Sequence, residues 1–341
     1  MPSNRGPYLF PMKRIQLLAL AILTLCLAET PPPGHVHVLF WNVENFFDWR
    51  NDSTSVSDAE FSSYGTRHWT RKRFYAKCNA ISKAVLWIAS QEGKLPEIIA
   101  LAEVENGFVL RRLIQATALC KTDYKPVHFD SPDHRGIDVA LLYRSSLLDL
   151  LDARPCRLYN PEDASPLGTR DILLCRFRFR PESEEFAVLV NHHPSKYGGT
   201  AESEPCRKIA VERLRQLTDS LTADGIHRII AIGDFNDTPD NPLFGLLEEN
   251  LVPLHRPFFL RGEGTIKYNG RWDLIDHAYV SPCLVPPGDS TLPMELVRIP
   301  FLLTEDPAHF GEKPLRTYVG PRYTAGVSDH LPILLRLRFP P

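Results

Sequence analysis

The 341-residue chain contains no internal repeat with a period of roughly 20–50 residues and no low-complexity tract. Solenoid, propeller and fibrous architectures are therefore excluded. It has no G-x-S-x-G elbow, no H-E-x-x-H helix and no Walker loop, so serine-hydrolase, zincin and P-loop chemistry lack their carriers. Gly262-Glu263-Gly264 lacks the third glycine and the following helix of a dinucleotide site. No cysteine pair has the C-x-x-C spacing of a metal knuckle. There is no long Lys/Arg run to track a polyanion. No apolar stretch reaches the roughly 20 residues of a membrane span.

What is present begins with a leader. Lys13 and Arg14 precede Ile15–Leu27, which is apolar except for Gln16 and Thr24, and Cys26 and Ala28 are small. This is the pattern of a secretory signal cleaved after Ala28. The blander alternative, a buried N-terminal helix, conflicts with Pro31-Pro32-Pro33-Gly34, which follows at once. Met12 can serve as an alternative start. A lipid anchor at Cys26 fits less well, because Leu25 is bulky where a small residue is wanted. A secreted or periplasmic protein is expected, with residues 1–28 as signal peptide and 29–35 as linker.

Loss of residues 1–28 removes Arg5, Lys13 and Arg14 but no acid, leaving 36 basic and 41 acidic side chains and a formal charge of −5. That balance weakens a polymeric nucleic-acid substrate but leaves one open, since a local basic groove can sit on an acidic protein. Six cysteines remain, at 78, 120, 156, 175, 206 and 283. Buried thiols and disulfides are equally compatible with their irregular spacing.

Thirty prolines point to ordered loops rather than a helical bundle. His35 to Trp41 alternates as a strand ending at Asn42. Phe74, Cys78, Ile81, Val85 and Ile88 form one apolar helical stripe. Strands are expected at 98–102, 139–143, 173–180, 186–191, 228–233, 274–280 and 333–339, with helices near 107–120 and 210–221. Helices and adjacent strands mix in this way when sheets are covered by helices.

Polar residues cluster directly after these strands. Phe40-Trp41-Asn42-Val43-Glu44-Asn45, Leu101-Ala102-Glu103-Val104-Glu105-Asn106 and Ile232-Gly233-Asp234-Phe235-Asn236-Asp237 each deliver oxygen donors from an apolar run, and Ser328-Asp329-His330 closes the chain. One acid at a strand end is ordinarily a solvated loop residue. Four such sites, with paired Asp/Asn and Asp/His chemistry, point to a hard divalent cation and to metal-assisted hydrolysis.

The ordered set WNVEN, LAEVEN, RGIDVALLY, NHHPSK, GDFND, WDLIDHAYVS and VSDH, spanning 36–338, resembles the endonuclease/exonuclease/phosphatase superfamily. GDFND followed by SDH is its most specific part. The resemblance implies a four-layer α/β sandwich, two packed mixed β-sheets flanked by helices, with residues 36–341 as the catalytic domain. It implies that Glu103 and Asn42 hold the metal, that Asp329 is a second metal-linked carboxylate, and that Glu44 matches a metal-linked acid of some relatives. Asp234 and Asn236 match the pair that activates water and binds the phosphoryl oxygen, and Asp276 and His330 the acid–histidine pair. His192 would protonate the leaving oxygen or hydrogen-bond the phosphate. His193 rivals it, but an extended strand should turn it the other way. Asp138 is a candidate to orient His192, or to act structurally beside Arg135. Arg135, Lys196 and Arg207 are candidate phosphate clamps, against the plain alternative of surface cations.

The implied cofactor is Mg2+, with Mn2+ or Ca2+ open. The implied activity is an endonuclease-like phosphodiester hydrolase, and a phospholipid or sugar-phosphate hydrolase and a non-catalytic binding protein are the alternatives. Apolar Phe258-Phe259-Leu260 and Phe301-Leu302-Leu303 would favour lipid if exposed near the site, and core packing is the plainer reading. A monomer without a membrane span in the mature chain is expected.

Overall fold

A computed structural model of the protein describes residues 35–339 except 53–54, 181–183, 197–199 and 286–292. The expected signal peptide lies outside the described residues. No helix among the described residues is long and apolar enough to cross a membrane.

In chain order the sheet strands are β1 (His35–Phe46), β2 (Ile98–Val104), β3 (Tyr124–His128), β4 (Asp138–Arg144), β5 (Leu148–Cys156), β6 (Ile172–Phe179), β7 (Phe186–His192), β8 (Arg228–Asp234), β9 (Val252–Pro253), β10 (Asp276–Val280), β11 (Met294–Leu296) and β12 (Ile333–Arg338). They form two six-stranded sheets, ordered β11-β12-β1-β2-β4-β3 and β5-β6-β7-β8-β10-β9. Each sheet has one parallel pair, β1 with β2 and β7 with β8, and antiparallel pairs elsewhere. A long helix provides the crossover each parallel pair needs.

The period-2 alternation of β1 builds two layers at once. Val36, Val38 and Phe40 face the second sheet, where they meet Ile230, Ile232 and Val190 in the central core. Leu39, Trp41 and Val43 face outward against Phe74, Cys78, Ile81 and Val85 of a helix spanning Arg71–Glu92. Thr70 caps that helix through Arg73 N–H, and Gly93 ends it at φ 72°. On the far side, Ala210, Leu214, Leu217 and Leu221 of the helix Thr200–Ala223 cover Leu174, Leu189 and Ala231. Helix, sheet, sheet and helix give the expected four layers.

Local boundaries differ from expectation where polar groups intervene. β1 continues past Asn42 to Phe46 through a register slip. The helix from 107 stops at Gln115, and a separate 3-10 turn spans Ala118–Lys121 with Thr117 as its cap. β10 begins at Asp276, not at 274. Phe258 and Leu302 are buried, whereas Leu260 is exposed. All six cysteines are free thiols.

The core beneath the helix Thr200–Ala223 is bordered by a histidine cluster that titrates against the fold. His277 stacks between His255 (ring centroids 4.2 Å) and Phe235 (4.9 Å), and His193 packs on the same Phe235 at 4.4 Å. Burial, aided by neighbouring cationic groups, pushes His193 and His277 down to about 3. Both are neutral in the fold, so their contribution is complete above the unfolded value and is lost as pH falls below it. Each should cost the fold about 2 kcal/mol at pH 5, where the unfolded chain takes up a proton that the folded chain refuses. Denaturant unfolding should therefore show a larger stability loss between pH 7 and pH 5 for the natural chain than for His277→Phe, by about 2 kcal/mol. Equal losses would contradict this account.

Candidate active site

Strand register brings the acids and histidines to one edge. In the parallel pair of β7 and β8, His192 lies opposite Asp234. In the antiparallel pair of β8 and β10, Asp276 lies opposite the same Asp234. Gly233 makes the close approach of β7 and β8 feasible, because a Cβ there would sit 2.1 Å from Asn191 O. The first sheet contributes Asn42 from β1 and Glu103 from β2. Both strands leave regular register there, and Glu44, Asn45 and Glu103 take left-handed backbone conformations at φ 48°, 52° and 63°. Asn236, after β8, does the same at 52°. Such non-glycine residues store about 1–3 kcal/mol each and gather at functional sites.

Asp234 is the centre of the arrangement. Its Oδ2 accepts from Asn42 Nδ2 at 3.0 Å and its Oδ1 from Asn236 N–H at 2.9 Å. His192 Nε2 stands 3.7 Å and His330 Nε2 3.8 Å from Oδ2. Burial, reinforced by the nearby Asp276 charge and opposed by His330, pushes the Asp234 carboxyl up to about 7. His330 Nδ1 pairs with Asp276 Oδ2 at 2.8 Å. Burial works against charge on His330, but Asp276, Asp234 and Asp329 outweigh it and hold the imidazole well above its ordinary value. The loop carrying His330 is stitched to β1: Ser328 Oγ donates to Asn42 O at 2.6 Å and accepts from His330 N–H, and Trp41 Nε1 donates to His330 O.

His192 differs. Burial, with the charges of Arg170 and Arg135, holds its imidazole well below the ordinary value, and its Nδ1 has no partner. It is neutral and suited to hydrogen bonding rather than to delivering a proton from an imidazolium. His193 turns to the opposite face, against Phe235.

Glu103 offers a partly exposed carboxylate. Its Oε2 accepts from Asn45 N–H at 2.7 Å and lies 3.7 Å from Arg135 Nη2. The resemblance groups it with Asn42 and Asp329, oxygen donors of the kind that suit a divalent cation; in the structure Asn42 Oδ1 accepts from Glu44 N–H at 3.0 Å and Asp329 Oδ2 pairs with Arg316, while Asp276 Oδ1 is buried without a partner. Donor atoms of Asp234, Asp276 and His330 also lie within 4.8 Å of one another. Their 2.8 Å Asp276–His330 bond makes proton handling the better account of that group.

Several expected roles are corrected by partners the sequence hides. Asp138 does not orient His192: its carboxylate holds His128 Nε2 at 2.9 Å and Ser131 N–H at 2.9 Å. Lys196 and Arg207 both close on Asp237, at 2.6 and 3.2 Å, and so brace the loop after β8 instead of clamping phosphate. Glu44 faces Arg316 Nε and Thr317 N–H, each at 2.9 Å, so both its oxygens are engaged. Arg316 also reaches Asp329 at 3.1 Å. Arg135 stays beside Glu103 and donates to Asn45 Oδ1 at 3.0 Å.

Sequence reasoning missed Arg170, Arg316 and Lys77. Arg170 is buried, pairs with Asp133 at 2.8 Å and donates to the carbonyls of His192 and His193. Lys77 sits beneath Glu44 and Thr317, and burial pushes it down to about 8. Arg170 and Arg316 lie in loops without a motif, whereas Lys77 interrupts an apolar helical stripe, a signal that could have been read.

The sequence profile described as the Endonuclease/Exonuclease/phosphatase family matches residues 37–338. No curated protein matches the sequence. Solved structures share the fold. The human Nocturnin catalytic domain with bound sulfate is 16% identical, with 92% of this chain and 96% of that one covered and a TM-score of 0.56. A humanized D. rerio TDP2 is 12% identical, with 89% and 99% covered and a TM-score of 0.52. A mannosyl-6-phosphatase from Bacteroides thetaiotaomicron is 15% identical, with 89% and 100% covered and a TM-score of 0.50.

The His330 pairing makes a direct prediction. Asp276→Asn should lower the His330 imidazole pKa toward its ordinary value of about 6.5, followed by nitrogen chemical shifts in NMR. An unchanged titration would contradict the pairing.

Proposed function

The chain belongs to the endonuclease/exonuclease/phosphatase family, and on that premise we propose that it is an exported, Mg2+-dependent phosphodiester hydrolase. The observation that carries the reading is the convergence of Asp234, Asn42, His330 and Asp276 within hydrogen-bonding or near-contact distance at the edge where Glu103 opens. A divalent cation held by Glu103, Asn42 and Asp329 would supply charge neutralisation for the anionic phosphate.

This chain's own side chains account for the rest of the chemistry. Asp234, raised to about 7 by burial, is a base matched to taking a proton from water near neutral pH. Asn42 and the Asn236 N–H fix its two oxygens. His330, kept protonated by Asp276, places a positive N–H where charge gathers on the phosphoryl oxygens. Asn236 donates one amide hydrogen to His193 O and keeps the other for a substrate oxygen. Neutral His192 supplies a further hydrogen bond. A binding protein that does no chemistry would not need a buried carboxylate raised to about 7 beside a charged histidine.

For the substrate, cleavage of nucleic acid draws support from a TDP2 relative described with a single-stranded DNA product, and hydrolysis of a sugar phosphate from the mannosyl-6-phosphatase. The pairing of basic side chains favours a small ester. Arg67, Arg170, Lys196, Arg207 and Arg316 are each matched to an acid, so these five do not offer free charge to a polyanion.

With Mg2+ or Mn2+, the purified protein should hydrolyse bis-p-nitrophenyl phosphate, and a chelator should abolish turnover. Asp234→Ala and His330→Ala should each lower kcat by roughly 10²-fold or more while thermal unfolding stays cooperative. A loss below about tenfold in both would refute the assigned roles. Protein recovered outside the cytoplasm should begin at Glu29 by N-terminal sequencing, and an intact Lys13–Ala28 segment on that protein would refute cleavage.

A further inference from the structure

Three acids crowd the first-sheet side of the site, and each is met by an organic cation. Glu103 Oε2 lies 3.7 Å from Arg135 Nη2, and Asp329 Oδ2 lies 3.1 Å from Arg316 Nη2. Glu44 Oε1 receives both Nε and Nη2 of Arg316, each at 2.9 Å. Beneath them Lys77 Nζ donates to Glu44 O and, at 2.9 Å, to Thr317 Oγ1. Arg135, Arg316 and Lys77 therefore balance Glu44, Glu103 and Asp329 charge for charge. Two-ion hydrolytic centres place divalent cations about 3.5–4 Å apart, and those four positive charges call for a surplus of carboxylate that these six side chains do not supply.

Glu44 is the acid most completely engaged. Its side chain is 6% exposed, and Oε1 has both lone pairs turned to Arg316. Oε2 accepts from Thr317 N–H at 2.9 Å, and the Glu44 N–H is itself held by Asn42 Oδ1 at 3.0 Å. A guanidinium seated between Glu44 and Asp329 repels any divalent ion that would bridge the two. Asp329 is engaged by only one oxygen. Its Oδ1 lies toward His330 Nε2 at 3.9 Å, so it can serve an ion beside Glu103 through that atom.

Arg316 is built into place. Residues 315–317 are sewn to the segment that leads to Asp329: Val327 N–H donates to Leu315 O at 2.9 Å, and Thr317 Oγ1 donates to Val327 O at 3.0 Å. A Cβ on Gly326 would sit 1.9 Å from Leu315 O, so no side chain separates the two segments. The guanidinium thereby holds its position between the two acids before an ion or substrate arrives, although its side chain is 49% exposed.

We propose that Arg316, backed by Lys77, stands where a second divalent cation would have to bind, and that the protein works with a single ion, at Glu103. The assignment rests on the hydrolase reading for the Glu103 ion alone. A planar fork that bonds two carboxylates at once is suited to this post in a way that a point charge is not. Positive charge at the Glu44 edge then belongs to the chain itself and does not depend on dissolved metal.

Mn2+ titration followed by electron paramagnetic resonance counts the ions without reference to turnover. The natural protein should bind one Mn2+ with the hyperfine spectrum of an isolated ion, and Glu103→Gln should weaken that binding by about tenfold or more. Arg316→Met, which keeps an apolar stem and removes the charge, should bind two and show the spectrum of a coupled pair. Arg316→Lys, which keeps the charge, should still bind one. Circular dichroism and cooperative thermal unfolding report whether each variant is folded, and Arg316→Gln gives the same reading should Arg316→Met fail to fold. Two ions in the natural protein, or a single ion in the folded charge-removed variant, would overturn the proposal while leaving the hydrolase reading intact. No bound ion, or one indifferent to Glu103→Gln, would defeat the metal reading itself and the proposal with it.

Discussion

Asp234 places a carboxylate almost wholly out of bulk solvent, at the seam between two sheets, and the surrounding site is arranged around that burden. An isolated buried carboxylate would simply be protonated. Here Asn42 crosses from the other sheet to donate to one oxygen, the Asn236 N–H donates to the other, and His330 stands 3.8 Å away with its charge maintained by Asp276. These opposing influences leave the group near neutrality of pH rather than at either extreme. The Asn42–Asp234 bond also fixes the relative position of the sheets, because Asn42 belongs to the first and Asp234 to the second. Packing and chemistry therefore share the same atoms.

A second level of support lies outside the reacting groups. Asp133 and Arg170 hold the end of β7 and the loop bearing Arg135. Asp237 gathers Lys196 and Arg207 behind the loop after β8. Glu44 ties Arg316 and the Thr317 N–H to β1. In each case an acid organises basic or backbone donors around a strand end, and after β1 and β8 that strand end includes left-handed residues.

The layers were legible because alternation in β1 and the 74–88 stripe are strong periodic signals, and both faces of β1 and the stripe of the helix are buried as the patterns demand. The set Asn42, Glu103, His192, Asp234, Asp276 and His330 was legible because each residue directly follows or begins an apolar strand. Partner choice was not legible. Asp138 reads from sequence as a neighbour of His192, yet β3 lies beside β4 and brings His128 to it. Arg207 reads as a surface cation or clamp, but its side chain is 2% exposed against Asp237. Such long-range pairings depend on strand order, which periodicity does not encode. The positive φ at Glu44 and Glu103 was likewise invisible, since neither residue type advertises it.

The central claim is that a cation binds among Glu103, Asn42 and Asp329, next to buried Asp234. A crystal of the protein soaked in Mn2+ tests this directly by anomalous scattering. The account predicts a peak within about 2.5 Å of a Glu103 carboxylate oxygen. A peak at His128, Asp130 and Asp138 instead, with none beside Glu103, would contradict it.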